Sequence, residues 1–243
     1  MDAVILAAGK GKRLMPITER IAKPLLPIDG KPVIEQIVIS LKKLGFKRIF
    51  IIIGHLGNQI EKYLGNGSKY NIKIEYRRQV PLGTAHALRC VENDIKGDFL
   101  VTASDSIFPL SHIRDLVKKH KKERCDATIS LKKVNIKDIP SMSTVTLQGD
   151  RILKIVEKPK KGQVLSNISA SPLYVFGDVV FDFLKDVRIS ERGEYELQDA
   201  IQKMIDSNLC VKGVFSEKWK HLTDINDLIE LNFPYLIEFM KDL

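Results

Sequence analysis

A chain of 243 residues with 44% hydrophobic content is long enough for one substantial α/β domain carrying a small second lobe. Its 39 basic against 30 acidic residues leave a net charge of +9, which suits anionic substrates, while 7% aromatic content and no nucleic-acid motif argue against DNA or RNA as partner. No apolar run approaches the roughly 18–20 residues of a membrane span, Met1-Asp2 leads straight into an apolar run with no secretory leader, and Cys90, Cys125 and Cys210 have no metal-ligand spacing; a cytoplasmic protein with free thiols and no membrane partner is expected.

Val4-Ile5-Leu6-Ala7-Ala8 is an apolar run ending in small residues, which predicts a buried strand opening into the tight turn Gly9-Lys10-Gly11-Lys12-Arg13. Gly9 and Gly11 are expected at positive φ, so that successive amides face an anion, with Lys10, Lys12 and Arg13 adding charge and Lys23 returning from a second loop. A polyphosphate is the economical ligand. A dinucleotide fold would need a small residue where Leu14 stands and an acid ending the second strand; Asp29 instead falls in the turn Pro27-Ile28-Asp29-Gly30. A P-loop would need Gly-Lys-Ser/Thr, which is absent.

Downstream, Ile34, Ile37, Val38, Leu41 and Leu44 form one helical stripe stopped by Gly45, and residues 48–53 are a continuous apolar strand. Residues 72–76 and 99–102 read as strands and 84–91 as a helix. Ser111 is expected to cap a helix carrying Ile113, Leu116, Val117 and His120, whose lysine-rich end is expected to be solvated. Residues 144–147, 151–156 and 173–176 read as strands joined by turns at Gly149-Asp150 and Lys160-Lys161-Gly162. A helix over 197–205, a strand over 211–215 and a helix from about Asp224, broken by Pro234, complete the chain. This rhythm predicts one domain with a mainly parallel sheet wrapped by helices and ligands at the carboxyl ends of the strands.

The opening segment, continued by Met15-Pro16-Ile17-Thr18 and Lys23-Pro24-Leu25-Leu26-Pro27, resembles the signature of the sugar-nucleotide pyrophosphorylases, the sugar-1-phosphate nucleotidyltransferases. Within that family it is similar to the catalytic domain of the glucose-1-phosphate thymidylyl- and uridylyltransferases. Lys12 departs from the family's Ser or Thr, and Ala22 from its common Pro. Gln79-Val80-Pro81-Leu82-Gly83-Thr84-Ala85-His86-Ala87, Glu157-Lys158-Pro159 and Arg192-Gly193-Glu194-Tyr195-Glu196-Leu197-Gln198-Asp199-Ala200 extend the resemblance over nearly the whole chain.

The resemblance implies a Rossmann-like, mainly parallel mixed sheet of the nucleotide-diphospho-sugar transferase fold, with residues 1–135 as the nucleotide half and 136–243 as the acceptor half. It implies a nucleotide site built from Leu6, Ala7, Ala8, Gly9, Gly11, Lys12, Arg13, Lys23, Gln79, Gly83 and Thr84, and an acceptor site at Glu157, Lys158 and Arg192. Arg13, Lys23 and Lys158 would be the catalytic cations. Arg13 and Lys12 would address the departing pyrophosphate, Lys23 the α-phosphate, and Lys158 with Arg192 the acceptor phosphate.

Asp105, emerging after an apolar strand, is the expected Mg²⁺ ligand. His221 stands where the family has its second metal Asp, with Asp224 three residues on. Ser104, Thr144 and Pro172 replace glycines on the acceptor side, so a reshaped acceptor pocket is expected, with glucose 1-phosphate a mediocre substrate. The expected reaction joins UTP or dTTP to a sugar 1-phosphate. A cytidylyltransferase for another phosphate monoester, or a non-catalytic nucleotide-sugar-binding homologue, are the alternatives; a homo-oligomer is compatible with either.

Overall fold

The computed structural model describes residues 1–80, 82–216 and 219–234. Strand β1 (Asp2–Ala7) is followed by a ribbon of β2 (Pro27–Ile28) and β3 (Lys31–Pro32), whose Asp29-Gly30 turn takes both residues to positive φ. Then come β4 (Arg48–Ile53), β5 (Lys73–Arg78), β6 (Phe99–Ala103), the short β7 (Ser106–Ile107) and β8 (Ala127–Lys133). The second half supplies β9 (Ser143–Gln148), β10 (Arg151–Glu157), β11 (Ile168–Phe176), β12 (Val211–Phe215) and the short β13 (Lys220–His221).

Nine of these strands form one sheet in the order β5-β4-β1-β6-β11-β8-β12-β10-β9. The first four are mutually parallel, β8 and β12 pair in parallel, and β11 joins β6 and β8 antiparallel to both. β7 and β13 pair separately, Ser106 against His221. The sheet is thus mixed and mainly parallel, as expected.

Helices cover both faces, which is why β1 and β4 read as unbroken apolar runs. On one face Ile5, Ile51 and Ile53 pack with Ile34 and Leu41 of α2 (Val33–Lys43), Ile60 of α3 (Gly57–Leu64) and Leu116 of α5 (Leu110–Glu123). On the other, Val4, Phe50 and Val101 meet Leu88 of α4 (Thr84–Arg89), Phe181 of α6 (Val180–Leu184) and Ile201 of α7 (Leu197–Asp206). Helix α1 (Ile17–Arg20) lies in the loop after the glycine turn, and α8 (Ile225–Asn232) ends two residues before Pro234.

Two sequence expectations are corrected. Ser111 does not cap α5; the helix starts at Leu110 after Pro109, and Ser111 is exposed within its first turn. β8 was not expected as a strand, because Thr128, Ser130 and Lys132 interrupt its apolar pattern. Those hydroxyls are buried yet satisfied: Ser130 Oγ pairs with His112 Nε2 at 2.8 Å and Thr128 Oγ1 with His120 Nδ1 at 3.1 Å. The lysine-rich end of α5 does face solvent at Lys118, Lys121 and Lys122, with His120 turned inward.

Candidate active site

The carboxyl ends of β1 and β6 set the site. Gly11 takes φ 64°, and a Cβ there would approach the Thr18 methyl to 2.9 Å and Lys23 Cβ to 3.3 Å. Thr18 is buried and donates Oγ1 to the Gly11 carbonyl at 2.9 Å, which pins the turn. Gly9 departs from expectation. Its φ is not in the left-handed region and nothing lies within 4 Å of where a Cβ would stand. Gly11 alone bends the loop, and Leu14 anchors it in the core while Lys12 and Arg13 stay exposed.

The second loop is held by Ala22, whose N–H donates to Gln59 Oε1 at 2.9 Å, and by buried Pro24. Lys23 between them donates to Asp105 Oδ2 at 2.5 Å. Asp105 arrives at the end of β6, where Ser104 N–H donates to the Leu6 carbonyl at 3.1 Å and carries the sheet one residue further. His221 Nε2 lies 3.5 Å from the same Asp105 oxygen, and Ser106 Oγ donates to Oδ1 at 3.2 Å. Burial alone would raise the Asp105 carboxyl, but the His221 hydrogen bond and the Lys23 charge outweigh it and hold the group well below the usual range.

A cleft of about 300 Å³ opens over this carboxylate. Leu6, Gly9, Gly11, Lys12, Arg13 and Lys23 line it together with Asp105, while Ala7 and Ala8 are buried. Thr223 forms part of its wall, a contribution from the C-terminal segment that no local pattern announces. His221 is stacked on Trp219 at 5.0 Å between ring centres and shares a hydrogen bond with Thr223 at 3.2 Å. Trp219 stacks in turn on Phe108, and the half-buried Lys132 ammonium sits 4.5 Å from the Trp219 ring centre. Burial lowers the Lys132 pKa.

Asp224 is drawn elsewhere. Its carboxylate accepts from Asp227 N–H at 3.2 Å and Asp227 returns the bond, so the pair is a capping box for α8. The expectation that Asp224 serves a metal is set aside, because its carboxylate is committed to that helix terminus. No group of three His, Cys, Asp or Glu side chains among the described residues forms a metal cage. Asp105 fits a divalent cation that needs one protein carboxylate and fills its other positions with phosphate and water oxygens.

Gln79 follows β5 on the same carboxyl-end side of the sheet, two strands from β1, with its N–H donating to the Ile53 carbonyl at 3.0 Å. Gly83 is required for a reason other than ligand approach. At φ 112° its Cβ would stand 2.5 Å from the Tyr195 backbone N and O. Tyr195 N–H donates to Leu82 O at 2.8 Å, Ala85 N–H to Tyr195 O at 2.9 Å, and Leu197 N–H to Thr84 Oγ1 at 3.1 Å. Thr84 therefore caps α7, and Leu82, Thr84 and Ala85 are zipped to the 195–197 segment. Pro81 lies outside the described residues.

The acceptor-side residues form a second cluster that does not line the cleft. Burial pushes the Glu157 carboxyl up to about 7, opposed by Lys158 and Arg192 and reinforced by Glu196 and Asp199. Arg192 donates to Glu196, which also accepts from Ser190 Oγ at 3.0 Å. Lys158 is exposed at φ 41°, a strained conformation for a lysine preceding proline, held by its N–H donating to Met142 O at 2.6 Å. Thr144, one of the three residues standing in for glycines, is fully buried, and its Oγ1 accepts from Leu165 and Ser166 N–H at 3.1 Å each. Its added bulk fastens a loop.

A glycine turn, a returning lysine and a strand-end aspartate surround one cleft, and the nucleotidyl transferase family model matches residues 2–236. This chain belongs to that family. It is 36% identical over 238 residues to the bifunctional protein GlmU of Methanococcus maripaludis, covering 97% of this chain and 54% of that protein. It is 32% identical over 222 residues to the UTP–glucose-1-phosphate uridylyltransferase AglF of Haloferax volcanii, covering 90% of each. It superposes with a TM-score of 0.85 on a UDP-glucose pyrophosphorylase complexed with UDP-glucose, at 22% identity and 98% coverage of both chains, a likeness of fold. The chain spans about half the length of the GlmU relatives it matches.

Proposed function

We propose that this chain is a nucleotidyltransferase joining UTP or dTTP to a sugar 1-phosphate, giving a nucleoside diphosphate sugar and pyrophosphate. The observation that carries this reading is the convergence of Gly11, Lys12, Arg13 and Lys23 on one cleft beside Asp105. Sequence similarity to a protein named as a UTP–glucose-1-phosphate uridylyltransferase supports the substrate pair.

An oxygen of the acceptor phosphate attacks the α-phosphorus in line; the new P–O bond forms as the α–β bridging bond breaks and pyrophosphate leaves. The nucleophile is already anionic, so no side chain has to remove a proton. The remaining task is orientation and charge neutralisation. Lys12 and Arg13, exposed at the mouth, take the leaving pyrophosphate. Lys23 takes the α-phosphate. Lys158 and Arg192 take the acceptor phosphate, and Glu157, once ionised, accepts hydrogen bonds from sugar hydroxyls. Gln79 meets the nucleobase at the sheet edge.

Asp105 would hold Mg²⁺, with His221 as its outer neighbour. When bound, the cation neutralises charge developing on the phosphate oxygens. On this reading residues 1–135 are the nucleotide half and 136–243 the acceptor half, with His221 and Thr223 reaching across to the nucleotide cleft. Three free thiols support a reducing, cytoplasmic setting. The test is pyrophosphate release from UTP, dTTP and CTP with a panel of sugar 1-phosphates and phosphate monoesters in MgCl₂. Turnover confined to a non-sugar monoester, or nucleotide binding without turnover, would overturn the reading.

A further inference from the structure

His221 and Asp105 are held side by side by main chain. β13 pairs with β7 so that His221 lies opposite Ser106, and the Leu222 N–H donates to the Asp105 carbonyl at 3.0 Å. Leu222 is fully buried, which fixes the strand, and the imidazole stacks on Trp219. That indole is backed in turn by Phe108, 4.9 Å away between ring centres. So held, the ring places its Nε2 3.5 Å from Asp105 Oδ2 and its Nδ1 3.2 Å from Thr223 Oγ1. A hydroxyl can donate or accept, so Thr223 satisfies Nδ1 in either tautomer and Nε2 is left for the cleft. The His221 and Asp105 side chains are 33% and 21% exposed, open enough for a cation to reach both.

Two ligands each about 2.1 Å from one cation stand about 3.0 Å apart at a right angle and about 3.4 Å apart at the tetrahedral angle. The 3.5 Å between Oδ2 and Nε2 meets that span with no movement of the backbone. We propose that His221 is a second protein ligand at the Asp105 cation site, binding through Nε2, and that this oxygen–nitrogen pair turns the site from Mg²⁺ towards a later first-row divalent cation such as Co²⁺ or Zn²⁺. Mg²⁺ takes oxygen ligands and gives up its water reluctantly, so with Mg²⁺ the imidazole stays outside a sphere of carboxylate, phosphate and water oxygens. Co²⁺ and Zn²⁺ bind neutral imidazole readily. Thr223 then accepts the Nδ1–H bond that orients a ligating histidine. Lys23 has to yield the shared Asp105 oxygen to any cation, so it does not bias the choice between them. This inference rests on the proposed nucleotidyltransferase reading, in which triphosphate oxygens complete the sphere.

The experiment measures Kd by calorimetry for the preformed Co²⁺–UTP and Mg²⁺–UTP complexes, with no acceptor present and no turnover needed. His221→Asp replaces the nitrogen ligand by oxygen, and the preference for the Co²⁺ complex over the Mg²⁺ complex is expected to fall at least about tenfold. His221→Gln, which adds no charge beside Asp105, is expected to move the preference in the same direction. A merely structural His221 would weaken both complexes alike and leave their ratio where it was. Proton magnetic resonance of the Co²⁺ complex gives a second readout. The Nδ1–H of a histidine bound directly to Co²⁺ appears as an exchangeable resonance far outside the ordinary range, and one such resonance is expected in the wild-type protein and none in His221→Asp. Its absence from the wild-type protein, or a ratio that neither variant moves, overturns the role of His221 while the nucleotide site stands. If the wild-type protein binds neither complex, the nucleotidyltransferase reading itself fails and this inference falls with it.

Discussion

The ammonium of Lys23 sits 2.5 Å from Oδ2 of Asp105, across 82 residues of sequence, on the oxygen that His221 also faces. A carboxylate so occupied is a poor landing site for a cation until the lysine leaves it. On the proposed reading, an arriving α-phosphate would offer Lys23 a second anionic partner and free Asp105 at the same moment. Lys23→Met is therefore expected to lower turnover about a hundredfold or more, yet to tighten Mn²⁺ binding to the nucleotide-free protein about tenfold. Electron paramagnetic resonance of free Mn²⁺ reads the second effect; equal affinity in the two proteins would exclude a guarding role for Lys23. Asp105→Asn should abolish the binding in either background.

Arg13 is exposed at the cleft mouth, and no described residue forms an ion pair with it. Its removal costs the fold nothing that can be named. Arg13→Ala should lower kcat/KM by about a hundredfold, with a melting temperature unchanged within about 1 °C for a surface substitution. Pyrophosphate release and thermal unfolding measured side by side check it.

Glu157 titrates near 7 in the folded protein against an ordinary value of 4.5. Between those values the native state binds more protons than the unfolded chain, so its contribution to stability falls as pH rises from about 4.5 to about 7. Glu157→Gln should flatten the melting temperature over that window relative to wild type. In the same window, on the proposed acceptor role of Glu157, the acceptor KM of the wild-type protein should fall as pH rises, because the ionised carboxylate is the stronger acceptor for sugar hydroxyls. A pH-independent acceptor KM would remove Glu157 from the sugar site.

Gly9 and Gly83 should behave in opposite ways although both belong to the proposed nucleotide site. Gly83→Ala drives a Cβ to within 2.5 Å of the Tyr195 backbone at φ 112°, and should destabilise the protein by roughly 2–4 kcal/mol in urea unfolding. Gly9→Ala meets nothing within 4 Å and should change stability by less than about 0.5 kcal/mol.

Much of this site was legible because its pieces are local. An apolar strand, a glycine turn and flanking cations are contiguous in the chain, and Asp105 is placed by the strand it follows. The same spacing reproduced β1, β4, β5, β6, α2 and α7 to within a few residues, since burial on one or both faces imposes a period that single residues rarely break. What the local pattern could not carry was pairing at long range. β8 is hidden by buried Thr128 and Ser130, acceptable only because His120 and His112 of α5 fold back over them. The positive φ expected of Gly9 is absent because Gly11 alone absorbs the turn.

The sequence by itself therefore determined the glycine turn, the return of Lys23 from a second loop and the strand end that delivers Asp105, because each depends on dihedral preference and hydrophobic period within a short segment. Only the tertiary structure decided that Lys23 pairs with Asp105, that His221 rather than Asp224 comes beside it, and that Thr84 caps a helix 113 residues away. It also decided that Thr144 fastens a loop. Those outcomes follow from which strands become neighbours in the sheet, and neighbourhood is fixed by the summed packing of two cores, which no short stretch of residues encodes.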